Sequence, residues 1–92
     1  MTKGEVLAVL KKHKFSFVHN KALMIWSTKG NTIFVCTFES DNPLISISFN
    51  RAPDLDKATK VMRKLFGDRF THLKSHPMDS INANYFRLET VN

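Results

Sequence analysis

The chain of 92 residues has three glycines, three prolines and one cysteine. With so few glycines there is no loop able to cradle a phosphate on backbone N–H groups. The lone Cys36 excludes an internal disulfide and suits a reducing compartment. Tyrosine and tryptophan occur once each, as Tyr85 and Trp26, against eight phenylalanines, so the bulky residues mostly fill the interior and offer few polar handles. No apolar run approaches the roughly 20 residues of a membrane span. The opening Met-Thr-Lys-Gly-Glu is too polar for a secretory signal. Together these absences predict a cytoplasmic protein that does not meet a membrane. Acidic residues are also scarce: 8 Asp and Glu stand against 14 Lys and Arg, a net charge of +6. That balance makes a polyanion the default partner, and the competing reading is charge that only keeps the chain soluble.

Hydrophobic residues make up 42% of the sequence, enough for one core in one domain spanning residues 1–92. Thr2-Lys3-Gly4-Glu5 fits a capping box, and Val6, Leu7 and Leu10 recur at helical spacing with Val9 widening the stripe. A first helix over residues 3–13 follows, ending in Lys11, Lys12, His13 and Lys14, which suit the negative end of the helix dipole. Phe15 to Val18 reads as a short strand or an extended connector, and His19-Asn20-Lys21 as a turn. Ala22 to Trp26 is a strand candidate, and Thr28-Lys29-Gly30-Asn31 signals a hairpin into Thr32–Phe38, which is apolar on both faces and fits a central strand. After the loop residues Glu39 to Pro43, Leu44 to Phe49 alternates, with Ile45, Ile47 and Phe49 toward a core and Ser46 and Ser48 toward water or a ligand.

Pro53 and Asp54 open a second helix, whose apolar stripe is Ala58, Val61, Met62, Leu65 and Phe66, and Gly67 stands where a C-cap glycine belongs. Arg69 to Lys74 is a further strand candidate, Ser75 to Asn82 reads as loop, and Ala83 to Thr90 as a closing strand with Phe86 and Leu88 on one side. The expected fold is α+β: an antiparallel sheet of four to five strands with two helices, in the order α-β-β-β-α-(β)-β, the helices packing against one sheet face.

Catalytic and metal chemistry find little support. His13, His19, His72, His76 and Cys36 lack metal-ligand spacing; His72 and His76 are four apart, but Thr71 and Pro77 argue against a helix there. Cys36 lies in the most apolar strand, where a free cysteine acts as a small hydrophobe. No nucleophile elbow occurs. Asp54 and Asp56 read as first-turn helix acids, and a dispersed pair such as His72 with Asp68 is the residual enzymatic alternative. The sequence calls for no cofactor, no metal and no catalytic residue.

The basic residues stand above this background. Lys57, Lys60 and Lys64 are spaced i, i+3, i+7 and share one helix face, with Arg63 beside them, opposite Ala58, Met62 and Leu65. Lys11, Lys12 and Lys14 close the first helix and Lys21 follows. If both helices cover the same sheet face, the two groups merge into one surface for phosphate; the alternative is two ordinary solvated faces. Ten of the fourteen cations are lysine, which favours backbone contact over base reading. A second surface is the polar sheet face of Ser46 and Ser48, where an exposed Trp26 or Tyr85 would stack on unpaired bases. Trp26 is expected in the core instead.

The α-β-β-β-α order is shared with double-stranded-RNA-binding domains, but those place lysines at the start of the second helix. Here that helix begins Pro53-Asp54-Leu55-Asp56, which repels phosphate. The longer α-βββ-α-ββ order over residues 3–90, with its basic character, resembles the double-wing DNA-binding domain of the middle-promoter activators of T4-like phages. A small, lysine-rich, cysteine-poor chain is also similar to early phage proteins that redirect host machinery. The resemblance implies a regulatory DNA-binding protein of the host cytoplasm and transfers no site residue. The leading expectation is a nonenzymatic protein that binds the RNA or DNA backbone through Lys11, Lys12, Lys14, Lys57, Lys60, Arg63 and Lys64. The alternative is an inhibitor or adaptor steered by charge to an acidic host protein such as a nuclease, toxin or polymerase subunit, with an exposed edge strand offering pairing to a partner or a second copy.

Overall fold

The computed structural model describes residues 1–39, 42–50, 53–73 and 83–89. Its elements are α1 (Lys3–Lys12), β1 (Ser16–Lys21), β2 (Met24–Lys29), β3 (Thr32–Thr37), β4 (Leu44–Phe49), α2 (Leu55–Phe66), β5 (Phe70–Leu73) and β6 (Asn84–Leu88). The class is the expected α+β, with a sheet of six strands where four or five were expected, ordered β1-β2-β3-β4-β6-β5 and antiparallel throughout. The additional strand comes from His19-Asn20-Lys21, read above as a turn. These residues pair with Met24 to Trp26, and the reversal falls on Ala22 and Leu23. An edge strand exposed along most of its length tolerates such polar residues, and a bulge between Phe17 and His19 twists it.

Local chemistry sets the element ends. The Thr2 hydroxyl accepts from the Glu5 N–H while the Glu5 carboxylate accepts from the Thr2 N–H, closing the capping box; these bonds from Thr2 hold the Glu5 carboxyl below its ordinary range. At α2 the cap is Asp54, accepting from the Lys57 N–H, so Pro53 precedes the helix and does not begin it. Lys29 and Thr32 pair across a two-residue reversal in which Gly30 takes a φ of 58°, as a II′ hairpin turn requires of its first central residue. Gly67 ends α2 with φ 65°, ψ −129°, a region nearly closed to other residues.

Strand alternation then divides the sheet. Ile25, Cys36, Ile45 and Phe86 form one cross-strand row on the face covered by both helices. Val6 and Leu10 of α1 and Ala58, Met62, Leu65 and Phe66 of α2 bury against it, with Phe34, Ile47 and Leu88. Leu7 and Val9, read above as part of the α1 stripe, are half-buried against that core. Trp26, Val35, Ser46, Tyr85 and Leu73 form the corresponding row on the other face. Trp26 is therefore no core residue: it remains 36% exposed. Ser27 takes the buried position beside it, and its hydroxyl has no hydrogen-bond partner. Ser48, expected toward water, is buried on the second face, while Phe49 is half-buried at the margin of the core. The expected loop at 75–82 lies outside the described residues.

Candidate nucleic-acid interface

α2 turns through 100° per residue. Ala58, Met62, Leu65 and Phe66 point into the core, so Lys57, Lys60 and Lys64 fall within about 60° of one another on the outer side. All three are exposed, as is Arg63. Lys57 and Lys64 lie on the flank shared with Val61, and Arg63 lies on the opposite flank with Asp56. The expected stripe therefore exists, and Arg63 faces away from its centre. Lys57 is further positioned by Phe49, whose ring centroid lies 5.5 Å from its ammonium.

The end of α1 is built as a Schellman motif. The Phe15 N–H donates to the Leu10 carbonyl and the Lys14 N–H to the Lys11 carbonyl, while Leu10 and Phe15 are both buried. The motif requires a left-handed residue, and Lys14 takes it with φ 63°. Glycine is the usual occupant, because a Cβ there costs about 1 kcal/mol. The chain thus keeps a cation where stability alone favours glycine. We expect Lys14→Gly to raise stability by about 1 kcal/mol, read as a higher urea midpoint at unchanged slope. The same substitution should weaken binding to polyanions. A loss of stability would show that the motif does not strain Lys14.

α1 runs so that its cations reach the β2–β3 hairpin. Lys3 Nζ donates to the Lys21 carbonyl at the other end of β1, and Ser16 pairs with Thr28 at the hairpin end. Lys21 is accordingly remote from the group formed by Lys11, Lys12 and Lys14, and does not join it. Where α1, the hairpin and α2 meet there is a cavity of about 250 Å³, lined by His13, Phe15, Lys29, Thr32, Val61, Lys64 and Leu65. No lining residue carries a carboxylate. Lys29 is held over Phe15, its ammonium 6.0 Å from the ring centroid. Glu5 and Glu39 stand toward the other end of the sheet, near the β1–β2 reversal, where the Phe38 N–H donates to the Leu23 carbonyl.

His13 at the end of α1 and Lys64 of α2 both line the cavity, while Lys11, Lys12 and Lys14 are exposed and are not among its lining residues. Sequence reasoning missed Lys29 and His13 as members. Lys29 was assigned to a turn and His13 to the helix tail, and only the hairpin's fold-back over Phe15 brings them together. The cue was available in a lysine immediately before a Gly-Asn reversal, but its direction was not.

On the second sheet face the exposed aromatic is Trp26, with the His19 ring tilted 48° against it at 5.3 Å between centroids. Tyr85 is buried, so this face presents one exposed indole and not a pair of rings. Burial pushes the Cys36 thiol up to about 12, which leaves no thiolate nucleophile near neutral pH. His72 of β5 packs on Phe86 at 5.4 Å, and Asp68 is exposed in the turn before that strand. Among the described residues no three His, Cys, Asp or Glu are grouped to hold a metal ion, and no helix is long and apolar enough to cross a membrane. Neither a protein family, a curated protein nor a solved structure matches this chain.

Proposed function

We propose that this protein is a nonenzymatic nucleic-acid-binding accessory or regulatory factor that grips the phosphate backbone. The observation that carries the reading is a carboxylate-free cavity lined by Lys29 of β2, Lys64 of α2 and His13 at the end of α1, with Lys57 and Lys60 exposed on the same outer side of α2 as Lys64. Such a surface neutralises phosphates and releases counterions, and it positions a strand without reading its bases. The proposal embraces RNA and DNA because both present the same phosphate. The basic character is in keeping with a phage-type regulatory role in a host cytoplasm, while the four strands between the helices depart from the α-βββ-α-ββ order on which the double-wing resemblance rests.

The test is the absorbance ratio and elution volume of purified protein on a sizing column, before and after nuclease and high salt. Nucleic acid that co-elutes and leaves with salt is the expected result. Clean protein whose elution does not respond to added nucleic acid would contradict it. A second reading, docking to an acidic protein, draws on Val18, Leu23 and Trp26, apolar residues exposed at 48%, 59% and 36% on β1, its reversal and β2. A complex with one host protein that survives nuclease would favour it.

A further inference from the structure

We infer that the cavity between α1, the β2–β3 hairpin and α2 is a binding site for a phosphomonoester, the terminal phosphate of a nucleic-acid strand or of a free nucleotide. This rests on the nucleic-acid reading and adds to it a preference for a phosphorylated end. Lys29 and Lys64 bring two ammonium groups to one cavity, and His13 and Thr32 add an imidazole and a hydroxyl to its lining. An internal phosphodiester carries one negative charge, whereas a terminal monoester carries about −1.5 to −2 near pH 7 and three free oxygens. Two lysines in one lining match the second form, and no carboxylate in the lining opposes it. Phe15, Val61 and Leu65 supply apolar walls, which strengthen the charge interaction and accept the edge of a sugar or base. About 250 Å³ admits one phosphate and part of the group bearing it. Lys29 is preset by its contact with Phe15, so less freedom is lost when it engages.

The experiment is fluorescence anisotropy with one labelled oligonucleotide carrying a 5′-phosphate, a 3′-phosphate or hydroxyls at both ends, alongside proton NMR of the His13 ring during addition of adenosine monophosphate. A phosphorylated end should bind about fivefold tighter at low salt, the scale of one or two partly exposed ion pairs. Lys29→Gln with Lys64→Gln should erase that preference, and circular dichroism checks that the double variant is folded. Saturable movement of the His13 resonances by the mononucleotide would place free nucleotides among the ligands. A preference among oligonucleotides without that movement would restrict the site to strand ends. Equal binding of phosphorylated and unphosphorylated strands, or a preference that survives the double variant, overturns the inference while leaving the backbone reading standing. Equal competition by a glutamate-rich peptide also overturns it. Failure of every oligonucleotide to bind overturns the backbone reading and this site together.

Discussion

Replacing Lys57, Lys60 and Lys64 together by glutamate should weaken binding to DNA or RNA by about a hundredfold or more at 50 mM salt. Each partly exposed ion pair to phosphate is worth up to about 1 kcal/mol, so losing three approaches two orders of magnitude before repulsion is added. All three side chains are exposed on the outer side of α2, where Lys57 rests on the half-buried Phe49 ring, so the variant should fold. Circular dichroism and melting temperature would confirm that, and anisotropy with a labelled duplex and a labelled single strand would read the affinity. Arg63→Glu serves as an internal comparison. Because Arg63 lies on the far flank of the helix, its reversal should cost less than that of Lys64 alone. Equal losses would show that the strand crosses the whole outer face of α2 and does not follow the cavity side.

Phe34→Ala should cost about 3–5 kcal/mol. Phe34 is fully buried in β3 and its ring is centred 6.0 Å from Phe15 and 6.2 Å from Phe66. It therefore joins the end of α1 and the end of α2 to the sheet. A chain of 92 residues buries a modest fraction of its surface, and total stability of about 5–15 kcal/mol is typical of small domains. The variant should lose much of that margin, with a melting temperature lower by roughly 15–30 °C. Trp26→Ala, by contrast, should cost about 2 kcal/mol, because the indole sits on the face away from the helices and keeps 36% of its surface. Comparable losses at Trp26 and Phe34 would show that the second face is part of the stabilising core.

These two aromatics also show what was legible from residues alone. Phe34 falls in a strand apolar on both faces, and either parity places a large residue inside. Trp26 follows Met24 and Ile25, so its parity was open. The deciding neighbour is Ser27, a hydroxyl buried without a partner, and that choice runs against residue-type expectation. Helices were read well because each carries its own punctuation: the Thr2–Glu5 box, Asp54, and Gly67. The first strand was read less well, since its second half is His19-Asn20-Lys21 and only pairing with β2 makes it extended. The lysines of α2 were visible through helical spacing. Lys29 and His13 were not, because they join the site through the fold-back of a hairpin, which no local period encodes.

The proposed role of this surface is to neutralise phosphates. The most direct measurement is the logarithm of the binding constant against the logarithm of salt concentration, for one duplex, with the unaltered protein. Five or more phosphate contacts predict a linear fall with slope of about −4.5 or steeper, roughly −0.9 per contact, and a loss of two to three orders of magnitude between 50 and 200 mM salt. A slope close to zero, or no binding at 50 mM, would contradict the account.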